Sequence, residues 1–166
     1  MMHFGCAHSK VPEPVASYPE TLCEQAKSGK FDPSTFDVGT APRINAYLLE
    51  CSVAVVISPL SLQSGESKGD SLVREAKQKA ASFFLERPLD VGYRNAYGDT
   101  LLMSVISSFF PEPWKVGAVK VLAQAGVDLD AFNENGDTAL DIAIYKNESA
   151  VIDALKQVRQ GQSPSL

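Results

Sequence analysis

Residues 133–155 read NENGDTALDIAIYKNESAVIDAL, and residues 95–110 read NAYGDTLLMSVISSFF. Both place Asn-x-x-Gly-Asp-Thr directly before a short apolar run. The agreement extends outward, because LDVGYRNAYGDTLLMSVI (89–106) aligns with VDLDAFNENGDTALDIAI (127–144). Asp90 falls on Asp128, Asn95 on Asn133, Gly98 on Gly136, Asp99 on Asp137 and Thr100 on Thr138, all at an offset of 38 residues, the difference between 136 and 98. Leu102 meets Leu140 and Val105 meets Ala143 in the same register. One offset holding over turn and core positions alike marks an internal repeat, each unit being an extended turn, a helix, a loop and a second helix.

Each matched residue has a physical task. Gly98 and Gly136 suit a backbone at positive φ or in close approach. Thr100 and Thr138 suit helix N-caps, with the hydroxyl accepting backbone N–H groups. Asp99 and Asp137 lie beside the same positive helix end, where an anion is favoured. The leucines two residues on point inward. A single unit of this size cannot bury its own apolar face, so stacked neighbours must close the core.

The rest of the chain reads in the same terms. Residues 1–18 carry Pro12 and Pro14 without periodicity and read as a flexible arm. A weak helix spans 20–28, with Leu22, Cys23 and Ala26 on one side and Gly29 as its stop. A short helical turn fits 33–36. Residues 43–57 read as one buried helix, although their end, Val53 to Ile57, also has strand propensity. A polar loop covers 59–70. Residues 71–86 form an amphipathic helix with Ser71 as N-cap and Leu72, Ala76, Ala80, Phe83 and Phe84 on its inner side. Helices follow at 100–110, 114–124, 139–145 and 149–158, and 161–166 read as a frayed tail. The single domain thus covers 19–160.

The repeat resembles the ankyrin repeat, through the likeness of Gly98-Asp-Thr and Gly136-Asp-Thr to that family's Gly-x-Thr-Pro-Leu-His motif and of ALDIA (139–143) to its closing repeats. The likeness is strongest over 89–158. It implies an all-α, ankyrin-like repeat solenoid of about three helix-pair repeats with an N-terminal cap helix, in which 37–86 is a divergent unit carrying an insertion. This sequence departs from the family pattern at several points. Leu101 and Ala139 replace the proline, Met103 and Asp141 replace the histidine, and Pro88 stands where a turn glycine is expected. The family period is about 33 residues, and the extra length of the first strong unit is expected within SFFPEPWK (108–115).

Composition narrows the function. Hydrophobic residues make up 45% and charged residues 21% of 166, and the net charge is -5 with no basic cluster. That balance argues against a nucleic-acid backbone as partner. No apolar run is long enough to cross a bilayer. MMHFGCAHSK shows no secretory signal. The expected location is therefore cytoplasmic, with export by a signal-less route left open. Three widely spaced cysteines, Cys6, Cys23 and Cys51, read as free thiols. A metal site drawn from His3, Cys6, His8 and Cys23 has no second paired motif to support it. The only histidines, His3 and His8, lie in the arm, and the recurring aspartates fall at turns and caps, so no catalytic residue, metal or cofactor is expected.

The ankyrin resemblance implies a binding surface made of turn tips and the exposed side of each first helix. Its tips are Arg94, Ala96, Tyr97 and Asp99, then Phe132, Glu134, Asn135 and Asp137. Its helix ends are Ser107 and Ser108, then Tyr145 and Lys146. Among these, Tyr97, Phe132 and Tyr145 have the aromatic character that recognition surfaces favour. Trp114 either seals the loop between helices or protrudes as a second contact. The expected function is a small adaptor or inhibitor that masks another protein with a basic or mixed surface. Two alternatives stand beside it. A structural subunit of an obligate complex would expose an apolar patch on the 47–57 side. An enzyme with a divergent N-terminal half would use Cys23, Cys51 or the arm histidines, with a perturbed thiol in a cleft.

Overall fold

The computed structural model describes residues 17–36, 41–54 and 68–162. These form seven α-helices and one 3-10 turn, Pro33–Thr35. The helices are α1 (Ser17–Lys27), α2 (Pro42–Val53), α3 (Lys68–Leu85), α4 (Leu101–Ser107), α5 (Glu112–Ala125), α6 (Ala139–Tyr145) and α7 (Ser149–Gln162). The expected arm, including His3, Cys6 and His8, lies outside the described residues but for its last two, and so does most of the 59–70 loop.

α4 and α6 have seven residues each, about 10 Å of helix. Helices this short are unstable alone in water, and stacking holds them. One column runs α2, α4, α6, and a second runs α1, α3, α5, α7. Rungs join the columns, with α1 and α3 against α2, α5 against α4, and α7 against α6. The result is an all-α solenoid-like stack of helix pairs. Its core runs unbroken from Leu48 and Leu49 through Phe84, Leu102 and Val105 to Val119, Leu122, Ala143 and Val151.

Local signals explain the boundaries. Thr100 and Thr138 cap α4 and α6, their hydroxyls accepting from the amides of Met103 and Asp141 at 3.3 and 3.2 Å. Asp141 completes a capping box, its carboxylate accepting from the Thr138 amide at 2.9 Å. That amide, and then the Thr138 hydroxyl donating to the same oxygen at 2.8 Å, hold the Asp141 carboxyl below its ordinary range. Gly29, Gly98, Gly126 and Gly136 all have positive φ, and Gly126 ends α5 in the left-handed conformation.

Several sequence expectations need correction. α1 begins at Ser17, before Glu20, and α7 continues past Val158 to Gln162. α3 begins at Lys68, so Ser71 lies inside the helix and is not its cap. Leu72 is 59% exposed. Ala80 and Phe84 are buried as expected, Ala76 and Phe83 are half-buried, and the buried stripe of α3 runs through Lys77, Ala80, Ala81, Phe84 and Leu85, at i, i+3, i+4, i+7 and i+8. The loop between α4 and α5 has four residues (108–111) and that between α6 and α7 has three (146–148). SFFPEPWK (108–115) is therefore divided between the α4–α5 loop and the first turn of α5.

The largest correction concerns the cysteines. Cys23 of α1 and Cys51 of α2 form a disulfide, and both are buried. They are not free thiols, and neither offers a thiolate for nucleophilic chemistry.

Candidate functional site

The two turn tips repeat one hydrogen-bond pattern. In the first, Asn95 Oδ1 accepts from the amides of Tyr97 and Asp99 at 2.9 and 3.0 Å. In the second, Asn133 Oδ1 accepts from those of Asn135 and Asp137 at 3.0 and 2.9 Å. Asn95 and Asn133 donate their own amides to the carbonyls of Asp99 and Asp137, at 3.1 and 3.0 Å. The glycine between them turns back in each, Gly98 at φ +74 and Gly136 at φ +82, and both amides bond the asparagine carbonyl at 3.0 Å. An Asx-type turn closed over a left-handed glycine is rigid without a strand on either side.

The tips are also tied to each other. Asn133 Nδ2 donates to Asp99 Oδ1 at 2.9 Å, the Glu134 amide to the Tyr97 carbonyl at 3.1 Å, and Arg94 Nη1 to the Phe132 carbonyl at 2.8 Å. Toward the front, Asn95 Nδ2 donates to Glu50 Oε1 of α2 at 3.0 Å. The tips therefore form a ladder anchored on α2. Burial raises the Glu50 carboxyl above its ordinary range, against the lowering effect of the Asn95 bond.

The candidate binding residues divide into two groups on this frame. Arg94 and Asp99 are engaged in the ladder. Lys146 donates to the carbonyls of Ser107 and Ser108 at 3.1 and 3.0 Å. Ser107 is half-buried and Ser108 is buried. These residues brace the scaffold, and Arg94 is at the same time exposed. Tyr97, Phe132 and Tyr145 are 72%, 64% and 92% exposed. Glu134 and Asn135 are exposed and Asp137 is half-buried, and the Asp137 carboxylate has no partner among the described residues. These face outward.

Two further features bear on the surface, the first expected from the apolar run at 101–106 and the second not. α4 offers no exposed side, since Leu101 through Ile106 are all buried. LLMSVI carried that signal, because a helix that is apolar all round is enclosed all round. Of α4 and α6, it is α6 that presents a surface, through Asp141, Ile144 and Tyr145. Phe109, 67% exposed, lies with Lys146 5.8 Å over its ring and adds an aromatic beside the helix ends. No pattern in the sequence separates it from its buried neighbour Phe110.

Under this surface lies a charged clamp. Lys115 of α5 is 0% exposed, donating to the Ile106 carbonyl at 2.9 Å and to Glu148 Oε1 at 2.7 Å. With Lys146 it satisfies the carbonyls that α4 leaves open at its C-terminus. Burial and then the neighbouring Lys115 charge hold the Lys146 ammonium below its ordinary range. Trp114 seals the loop, donating from Nε1 to Ser82 Oγ at 2.8 Å and packing edge-on against Phe110.

Other chemistries find little support here. Among the described residues no group of three or more His, Cys, Asp or Glu is arranged to hold a metal ion, and no catalytic motif is present. No helix among them is long and apolar enough to cross a membrane. From Leu48 to Val53, apart from half-buried Glu50, α2 is buried, so the described part of the 47–57 side carries no open apolar patch.

No curated protein matches the chain. The family model described as ankyrin repeats (many copies) matches residues 115–155, which take in α5 from its fourth residue on, the second tip, α6 and the first half of α7. From Lys115 to Leu155 the chain is similar to the ankyrin-repeat family, and the remainder is unmatched.

Proposed function

We propose that this chain is a protein–protein interaction module, a small ankyrin-like adaptor or inhibitor that binds and masks a partner protein. In this reading the domain at 19–160 consists of three helix-pair layers behind the cap helix α1. The observation that carries it is the exposure of Tyr97 and Phe132 on consecutive rigid tips. Aromatic rings held outward by a preformed ladder lose little conformational freedom on binding. Tyr145 and Phe109 extend the surface at the far end of the short helices. The surface comprises tips and the α6 side, since α4 is enclosed.

Glu134 and Asp137 flank the rings, and the chain carries net charge -5. Both features favour a partner with a basic or mixed patch. Tyr97→Ser, Phe132→Ser and Tyr145→Ser, tested by pull-down from the source cell, should lose the partner while circular dichroism stays unchanged. Retention of the partner by all three variants refutes the reading.

The Cys23–Cys51 bond bears on location. Buried structural disulfides persist in oxidising compartments and are rare in the cytosol, so the bond favours an oxidising compartment over the cytoplasm. Thiol titration of protein taken from its native source, under denaturing conditions, should find both cysteines blocked.

A further inference from the structure

The tip ladder has an open end. The first tip passes two acceptors to the second: Asp99 Oδ1 takes the Asn133 side-chain amide and the Tyr97 carbonyl takes the Glu134 N–H. In the repeat register, the same acceptors on the second tip are the Asp137 carboxylate and the Asn135 carbonyl. Neither has a donor among the described residues. Where Arg94 reaches across from the first tip, the second tip holds Phe132, with its ring exposed. Beside this edge a groove of about 260 Å³ runs between α6 and α7, where Leu129, Leu140 and Leu155 share the wall with Thr138 and the charged Asp130, Asp141, Lys156 and Arg159.

We propose that this edge docks a tight turn of a partner protein, one that presents an asparagine side-chain amide to Asp137 and the next backbone N–H to Asn135. An apolar residue of the partner covers the exposed Phe132 ring. The argument is continuity: an interface already made between the first two tips ends with its acceptors displayed. It rests on the interaction-module reading but uses another edge than Tyr97 and Tyr145.

A second copy of this chain is the wrong occupant. Stacked head to tail, it would have to offer Asn95, whose side-chain amide is held by Glu50 and Asp99 at 3.0 and 3.4 Å. Its Asn133 is equally committed, to Asp99.

The test uses the full chain and a cyclised peptide of residues 127–138, VDLDAFNENGDT, as the turn. Saturable NMR shifts should appear at Phe132, Asn135 and Asp137. Asp137→Ala in the chain should weaken binding roughly tenfold or more, the scale for losing a charged hydrogen bond. Asn133→Ala in the peptide should do the same. Absence of saturable shifts, or shifts indifferent to Asp137→Ala, overturns the proposal. A second measurement removes dependence on the peptide's own shape. A copy of residues 127–162 is appended after Gln162, and Asp137→Ala is compared in the original and lengthened chains. The substitution should lower Tm in the lengthened chain about as much as Asp99→Ala does in the original, and leave the original nearly unchanged. Equal small shifts in both chains overturn the proposal, as does concentration-dependent self-association of the original chain. Should the tyrosine variants lose the cellular partner while both of these measurements are negative, the interaction-module reading stands and this edge is not a site.

Discussion

Asn133 donates its side-chain amide to an aspartate on the tip before it, whereas Asn95 donates the same group to Glu50, a residue of helix α2. The front of the molecule and its C-terminal half differ in this way throughout. At the back, Lys115 reaches from α5 to the carbonyl end of α4 and is neutralised by Glu148. At the front, Lys77 reaches from α3 to the Ala54 carbonyl at the end of α2, with no acid paired to it among the described residues, and burial lowers its ammonium below the ordinary range. α5 stops on a left-handed glycine, while α3 stops at Leu85, three residues before Pro88. The back layers are joined by hydrogen bonds in register, and the front pair, α1 and α2, by a covalent bond. A stack of helix pairs therefore constrains which chemical groups meet at each joint, and leaves open which residue supplies them.

The largest expected effect tests the clamp. Lys115→Ala leaves the half-buried Glu148 carboxylate without its nearest cation and the Ile106 carbonyl without a donor. It should cost about 3–5 kcal/mol, against about 1–3 kcal/mol for Lys77→Ala, which strands a carbonyl alone. Urea denaturation of both variants checks the order, and equal losses would erase this difference between front and back.

Opening the disulfide comes next. Cys23 and Cys51 are separated by 28 residues in sequence, for which chain-entropy reasoning gives roughly 3–4 kcal/mol. Cys23→Ser with Cys51→Ser should lower the thermal midpoint, and hydrogen exchange should quicken in α1 and α2 far more than in α6 and α7. A uniform loss of protection would mean that the two halves unfold as one unit.

The glycines sharpen the comparison between tips. A Cβ on Gly98 would meet the Glu134 backbone nitrogen and Cγ, both at 3.1 Å, whereas one on Gly136 would meet nothing within 4 Å. Positive φ alone costs about 1–2 kcal/mol. Gly98→Ala should therefore destabilise by about 2–3 kcal/mol and Gly136→Ala by about 1 kcal/mol less. Thermal melts that rank them the other way would contradict the ladder contact.

The smallest effect concerns Glu50 and is stabilising. Its folded carboxyl is raised, so the native state holds the proton more tightly than the unfolded chain. Stability from this group is present below the ordinary carboxylate range and is lost as pH rises through the raised value. Glu50→Gln keeps an oxygen for Asn95 and removes the charge. It should stabilise at pH 7 by on the order of 1 kcal/mol, a gain that fades as pH falls through the carboxylate range. A pH series of urea midpoints checks this.

The repeat was legible because its signals are local. Thr100 and Thr138 cap helices, Gly98 and Gly136 carry positive φ, and 139–145 spans α6 to the residue. Each depends on neighbours within a few positions. Contacts set by the stack were not legible. Cys23 and Cys51 pair because α1 lies against α2, which no periodicity reports, and Cys6 made the count odd. Lys77 and Lys115 read as surface residues until the carbonyl ends of α2 and α4 appear opposite them. Leu72 reads as core by spacing but precedes the stretch of α3 that faces the stack. At the site, the outward rings of Tyr97, Phe132 and Tyr145 follow from their register positions, whereas the enlistment of Arg94, Asp99 and Lys146 into the scaffold needed distances.

The bond between Cys23 and Cys51 also governs how the molecule gives way under force. Pulled from its two termini, the polymer can release α7, α6 and the layers before them, yet everything between the two sulfurs stays looped. Twenty-eight residues at about 3.3–3.6 Å each withhold roughly 90–100 Å of contour length. A narrow translocation channel that threads one strand at a time would stall at that loop until a reductant cut it.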